Sequence, residues 1–169
     1  GSKKCWITQN LGADHQARYA IDASEASAGW YWQFNRKQGY KHDGKTRTPN
    51  SNWITSINEN SDWLPAKDPC AILLGSGWRL PTFAEWEKTY AIGGWDNLDE
   101  TFNSVLKLHA AGFLFHSDGS LSYRGSDGLY WSSSQYVSDF GWYLDFGSSC
   151  SYVGSYYKGN GHSVRCLRD

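Results

Sequence analysis

The sequence predicts one α+β domain of antiparallel strands carrying one or two short helices, with much irregular structure between them. Three observations carry this. The chain has 169 residues, the size of one ordinary domain and too few for two with a linker. A single helix start is clear near its middle. Beyond that helix the apolar residues recur at the two-residue period of strands, and no longer repeat marks a solenoid or propeller.

In chain order, Gly1-Ser2 reads as a cloning scar, which leaves residues 3–169 as the domain. The first third mixes short apolar clusters, Cys5-Trp6-Ile7 and Trp30-Tyr31-Trp32, with a polar stretch over 41–60. Its periodicity is weak, and packed but irregular structure is expected there. Thr82 followed by Glu85 forms a capping-box pair, and Phe83, Trp86 and Tyr90 follow at helical spacing. This predicts a helix over 81–92 that stops at Gly93-Gly94. Val105, Leu106 and Leu108 then lead into Phe113 and Phe115, and Ser117-Asp118-Gly119-Ser120 supplies a hairpin turn before Leu121. Over 141–147 the alternation assigns Trp142, Leu144 and Phe146 to the core and Tyr143 and Asp145 to water. A last strand over 162–167 places Val164 and Cys166 on one side and Arg165 and Leu167 on the other.

Composition narrows the function. Ten Trp, eleven Tyr and seven Phe exceed what a core of this size needs, so many rings lie near the surface. A net charge of −1, with basic and acidic residues interspersed, leaves no electrostatic footprint for nucleic acid or an anionic membrane. Apolar runs such as Ala71 to Leu74 fall far short of the ~20 residues of a bilayer span, so direct membrane insertion is not expected. The cysteines Cys5, Cys70, Cys150 and Cys166 lack metal-site spacing, which favours a disulfide and an oxidising compartment. A Cys70–Cys166 bridge would close ~95 residues and constrain the unfolded chain by roughly 4–5 kcal/mol; Cys5 remains a competing partner for Cys166. His15, His42, His109, His116 and His162 show neither ligand spacing nor a neighbouring nucleophile, and read as structural or surface residues.

The most unusual stretch is 136–157. Its 22 residues include five Tyr, five Ser and three Gly but no Lys, Arg, Glu or Gln, whereas about a quarter of an average chain is charged. Tyr, Ser and Gly also dominate antibody paratopes, where Tyr supplies contact area at low entropic cost and Ser and Gly adapt. Exposed contiguous aromatic area of this kind points to a binding surface. Every residue here except Trp142 is also encoded by triplets ending in a pyrimidine, the set left by randomising the first two bases of asparagine codons.

Four segments, in this order, carry a resemblance. They are Trp6-Ile7-Thr8-Gln9-Asn10-Leu11-Gly12-Ala13; Gly77-Trp78-Arg79-Leu80-Pro81-Thr82 with Glu85-Trp86; Tyr130-Trp131-Ser132-Ser133-Ser134; and Ser163-Val164-Arg165-Cys166-Leu167-Arg168-Asp169. Together they span nearly the whole chain and resemble bacterial surface modules of the major paralogous domain family, which has the C-type lectin fold in its formylglycine-generating-enzyme-like branch. Within that branch the chain resembles the variable proteins of diversity-generating retroelements, whose mutable segment lies C-terminally on the ligand-binding face.

The resemblance implies a scaffold of Trp78, Trp86, Trp131, Trp142, Leu144, Phe146 and Val164. It implies variable ligand contacts within about 127–157: Asp127, Leu129, Tyr136, Val137, Ser138, Asp139, Phe140, Tyr143, Asp145, Gly147, Ser149, Cys150, Tyr152, Gly154, Tyr156 and Tyr157. Cys150 is then a free thiol. The implied function is non-catalytic recognition of a protein or glycan on another cell, a phage or a host, by a monomeric domain of a larger secreted or surface protein whose signal or anchor lies upstream. Alternatives are a structural module docking neighbouring subunits of a fibre and a fixed-specificity carbohydrate-binding lectin.

An enzyme is not expected. The formylglycine-generating catalyst needs paired thiols, and here the candidates would be Cys150 and Cys166, sixteen residues apart. Calcium-dependent lectins carry Glu-Pro-Asn or Gln-Pro-Asp and Trp-Asn-Asp motifs, none of which is present. Asp96, Asp99 and Glu100 read as a solvated turn, so no metal or cofactor is expected. Arg79 and Arg165 read as makers of buried hydrogen bonds or ion pairs.

Overall fold

The computed structural model describes residues 4–169; the expected scar at Gly1-Ser2 lies outside them. The elements are β1 Cys5–Trp6, α1 Glu25–Ala28, β2 Tyr31–Gln33, β3 Gly39–His42, β4 Arg47–Thr48, α2 Pro69–Leu74, β5 Trp78–Arg79, α3 Phe83–Gly93, α4 Leu98–Asn103, β6 Phe113–Leu114, β7 Leu121–Ser122, β8 Gly128–Val137, β9 Phe140–Phe146, β10 Ser151–Tyr157, β11 Gly161–Ser163 and β12 Leu167–Arg168. The domain is α+β.

Local chemistry explains the helices. The Thr82 hydroxyl accepts the Glu85 N–H at 3.3 Å while the Glu85 carboxylate accepts the Thr82 N–H at 2.8 Å, so two otherwise orphaned donors are satisfied reciprocally. The helix ends at Gly94, whose φ of 58° is the left-handed cap that glycine adopts without steric cost. Of the residues read as a turn after α3, Asp96 stays outside any helix, but Asp99 and Glu100 lie in the first turn of α4, which Asn97 caps by accepting the Glu100 N–H at 3.1 Å. Consequently the two-residue period does not begin at Val105, which is exposed. It begins at β6, which pairs with β7 across the expected turn.

Two sheets form. The smaller has the order β1-β12-β5, and the larger runs β10-β9-β8-β11-β2-β3-β4 with β6 and β7 attached through β11. All pairings in the larger sheet are antiparallel except β11 with β8, where Ser163 lies opposite Tyr130. The expected strand over 162–167 is thus two strands. The residues between them leave one sheet for the other, and Val164, Arg165 and Cys166 are all buried. The first third is more regular than its weak periodicity suggests, because β2 and β3 are short strands buried within a sheet rather than amphipathic ones, and β4, at the sheet edge, is only two residues long.

Residues near the two ends of the chain meet. Ile7 and Leu11 donate N–H bonds to the carbonyls of Cys166 and Val164, each at 3.0 Å, and Cys166 is bonded to Cys70 with Cα atoms 5.6 Å apart. Cys5 and Cys150 are exposed free thiols. Arg165 is wholly buried beside Tyr130. It donates to Asn10 Oδ1 at 2.8 Å and to the Leu106 carbonyl, while Tyr130 donates to the same Asn10 oxygen at 2.9 Å. These bonds satisfy the two terminal nitrogens of the buried guanidinium, while its Nε has no partner among the described residues.

One core cluster gathers Trp32, Phe34, Trp63, Leu129, Trp131, Tyr143 and Val164; a second packs Trp86 against Tyr130, Leu144 and Phe146. Two expected scaffold residues, Trp78 and Trp142, are only half-buried. Trp142 shares a pleat side with Leu144 and Phe146, but it lies at the edge of the cover that α3 provides, against Phe83 (ring centroids 4.3 Å apart) and Tyr136 (4.8 Å).

Candidate ligand-binding face

Strands β8, β9 and β10 carry ten of the sixteen candidate ligand contacts, and the turns beside them carry Asp127, Ser138, Asp139, Gly147, Ser149 and Cys150. Their pairing register sets which side chains share a surface. Leu129 lies opposite Asp145 and Trp131 opposite Tyr143, while Tyr152, Gly154 and Tyr156 lie opposite Asp145, Tyr143 and Gly141. One pleat side therefore gathers Leu129, Tyr143, Asp145, Tyr152, Gly154 and Tyr156. Between Trp131 and Gln135 the register slips. The Ser132 hydroxyl closes this bulge by donating to the Trp142 carbonyl at 2.8 Å.

The alternation over 141–147 is real, but its assignment to core and water is corrected. Tyr143 is 3% exposed, with its ring near Trp131, Tyr152, Tyr156 and, at 5.0 Å, His162. Both sides of β9 are covered, one by α3 and the other by the aromatic layer around His162, and a two-residue period says which residues share a side, not which side is wet. Leu129 and Gly147 are likewise buried, so Leu129, Tyr143 and Gly147 form the floor of the face rather than its contact surface.

Apart from Tyr152 and Gly154 on β10, the other expected contacts fall into three groups. On the β8–β9 hairpin, Tyr136 and Val137 are exposed and Ser138, Asp139 and Phe140 half-buried, with Phe140 against the exposed Tyr157 at 4.7 Å. On the β9–β10 turn, Ser149 and Cys150 are exposed. The third group is a cup of about 290 Å³ lined by Phe113, Tyr123, Asp127, Leu129, Asp145 and Tyr156. Two glycines make room for neighbours: a Cβ on Gly147 would lie 2.3 Å from Asp127 Oδ1, and one on Gly154 would lie 2.8 Å from the Tyr152 ring. Residue choice at 147 and 154 is thereby coupled to 127 and 152.

Polar chemistry concentrates at Asp145. Its Oδ2 accepts the Tyr143 hydroxyl at 3.0 Å and the Tyr152 hydroxyl at 2.9 Å. Burial pushes its carboxyl above the usual range, and the Asp127 charge adds to this, while the two hydroxyl bonds act the other way. Burial also raises the Tyr143, Tyr152 and Tyr156 phenols, so the face carries neutral hydroxyls near neutral pH.

The hairpin is propped from behind. The wholly buried Lys158 donates its ammonium to the Glu59 carbonyl at 2.6 Å and to Gln135 Oε1 at 3.0 Å. Backbone bonds run from Glu59 to the Ser138 carbonyl at 2.9 Å and from Trp63 to the Ser133 carbonyl at 2.8 Å.

Sequence reasoning missed Phe113 and Tyr123 as walls of the cup and His162 as the layer beneath it. The His162 ring stacks on Trp131 at 3.9 Å, and among the described residues neither of its nitrogens has a hydrogen-bond partner. Tyr123 has a left-handed backbone (φ 58°), a conformation that costs a bulky residue about 1–2 kcal/mol and that no composition signal reveals. Its carbonyl accepts the N–H groups of Ser126 and Asp127, both at 3.0 Å, which fixes how Asp127 enters the cup.

Among the described residues, no group of three or more His, Cys, Asp or Glu side chains is placed to hold a metal ion. Cys166 is committed to Cys70 and so is not available to Cys150 as a redox partner. A larger groove, about 650 Å³, is lined by Trp6, Ile92, Trp95 and Leu106 among others, none of them a candidate contact.

A family model described as a domain of unknown function, DUF8237, matches residues 94–167. That span runs from the α3 cap into β12 and includes the whole face. No curated protein matches the chain.

Proposed function

We propose that this chain is a C-type-lectin-like recognition domain of a secreted or surface-attached bacterial protein, and that β8–β10 present a diversified, non-catalytic ligand-binding face like that of a retroelement variable protein. The observation that carries this reading is the separation of surface from support. Among the described residues, the side chains of 136–157 hydrogen-bond only one another, through Tyr143, Asp145 and Tyr152. Their backbone is held by the β-ladder, the 59–63 loop and Lys158. The exposed and half-buried side chains among them, Tyr136, Val137, Tyr152 and Tyr157 for example, change without undoing the fold, while Tyr143, Leu144 and Phe146 stay as buried support, which is what a repertoire of binders requires. Tyr rings and small polar residues then supply contact area and adaptable hydrogen bonds to a protein or glycan partner.

Sequencing the DNA downstream of the coding region tests this reading. A near-copy of the segment encoding 127–169, differing at adenines and accompanied by a reverse-transcriptase gene, is the expected result. Its absence makes the face a fixed surface. One observation favours the fibre-subunit alternative: among the described residues, β10 is an edge strand paired only with β9, and open edges accept further strands. Self-association of the domain at micromolar concentration, abolished by a proline within β10, would select that alternative.

A further inference from the structure

Resting on the reading of this face as a binding surface, we propose that the cup between β6–β7 and β8–β10 receives one basic side chain of a protein ligand, a lysine or arginine held over tyrosine and phenylalanine rings and paired with Asp127 and Asp145.

Size comes first. A cavity of about 290 Å³ stands at the lower end of the ~300–1,000 Å³ typical of small-molecule pockets, and so suits one inserted side chain. The lining comes second. Phe113 stands 6.0 Å from Tyr123 and 5.9 Å from Tyr156, centroid to centroid, so three rings edge the opening above Leu129. Aromatic faces attract ammonium and guanidinium groups, and more strongly when water is excluded.

Charge complementarity selects the occupant. Among the described residues, the cup is lined by two carboxylates and no cation. Among the described residues the ion pairs join Lys4, Arg36, Lys41 and Arg79 to Glu25, Glu59, Glu85 and Asp169, and none reaches Asp127 or Asp145. Asp145 Oδ2 accepts two tyrosine hydroxyls and Asp127 Oδ2 accepts the Ser126 hydroxyl at 3.0 Å, which leaves the other oxygen of each carboxylate without a donor. Arg124, close in sequence, is committed to the Tyr31 hydroxyl at 2.8 Å. Two neighbouring carboxylates, both half-buried, repel each other, and an entering cation relieves both. A neutral sugar would leave that repulsion in place.

The test is an NMR titration of the folded domain with tyrosine rings labelled, the Tyr123 and Tyr156 signals being assigned from Tyr→Phe variants. The probes are the N-acetyl methylamides of lysine, arginine and norleucine, together with methyl glucoside. The expected result is saturable movement of the Tyr123 and Tyr156 signals by a cationic probe at millimolar concentration, at least about tenfold tighter than norleucine and weakened by salt. D127N/D145N should remove that preference, as should Tyr123→Leu, which alters an exposed rim residue and guards against a folding defect in the double variant. Equal binding of norleucine, preference for the glucoside, or no saturation by about 50 mM, where even a weak single-group contact would register, overturns the proposal. Outcomes here are independent of the downstream DNA: a template copy with an unresponsive cup removes only the basic side chain, and a cation-binding cup without a copy removes only diversification.

Discussion

Two regions of the domain are held together in opposite ways. At the corner where β1, β12 and β5 meet, long charged side chains do the joining. Arg79 grips Glu85 at 2.7 and 2.8 Å and Asp169 at 2.8 and 2.9 Å, and Lys4 reaches both acids. Burial alone would raise the Glu85 carboxyl, but the bonds from Arg79, Lys4 and the Thr82 N–H hold it down at about 2. On the face formed by β8–β10 the joining is done by backbone: all seven residues of β10 pair with β9. Changing a side chain at the corner breaks a link between distant parts of the chain. Changing one on the face mostly changes what the surface offers. Tyr143 is the exception, because it belongs to the face by register and to the core by burial.

The sharpest contrast is expected from Trp131→Ala. This residue is wholly buried and donates its indole N–H to the Trp32 carbonyl at 2.7 Å, so its loss should cost about 4 kcal/mol, read as a lower urea midpoint. Tyr143→Ala should follow at about 3 kcal/mol, whereas Trp142→Ala, being half-buried, should cost about 1–2 kcal/mol. A reversed order of these two in thermal melts would show that β9 turns its other side to the core.

Acid should weaken the aromatic layer before the backbone ladder. Burial holds His162 well below its ordinary value, and it holds His109 down to about 3, helped by the Arg165 charge. The unfolded chain takes up both protons near pH 6.5 while the folded protein refuses them. Stability is therefore complete above that pH and falls as pH drops below it, by up to about 1.4 kcal/mol per pH unit for each histidine. The groups facing His162 are Trp131, Phe113, Tyr143 and Tyr156, none of them charged near neutral pH. Urea unfolding between pH 7 and 5 should show the slope, and His162→Phe should roughly halve it; an unchanged slope would exclude His162 as its source.

The smallest effects belong to the exposed tyrosines. Tyr152→Ala and Tyr157→Ala should each move stability by no more than about 0.5 kcal/mol in the same melts. A larger change would mean that the face supports the fold after all.

What could be read from the sequence follows the same division between local and distant. The α3 capping box is legible because Thr82 and Glu85 are three residues apart, and the β6–β7 turn is legible because its residues are consecutive. That Tyr143 and Asp145 share a pleat side, as do Tyr152, Gly154 and Tyr156, is legible because strand periodicity is also local. It was not legible that Tyr143 is covered and Trp142 only partly so, since the cover comes from α3 on one side and from His162 on the other. The cup was hidden for a related reason. Its far wall, Phe113 and Tyr123, depends on a hairpin docking across β11 and on a left-handed backbone at Tyr123, and neither leaves a trace in residue order.

The placement of β11 and β12 has a consequence in time as well as in space. β11 is an interior strand of the larger sheet and β12 is the middle strand of the smaller one, yet both come from residues 161–168, after every other strand in the chain. Neither sheet closes while those residues are missing. A chain emerging from its N-terminal side can pair β2 with β3, β3 with β4, β6 with β7, β8 with β9 and β9 with β10, but it cannot join these pieces, and contacts that span nearly the whole sequence form slowly. The domain thus becomes native in one late step.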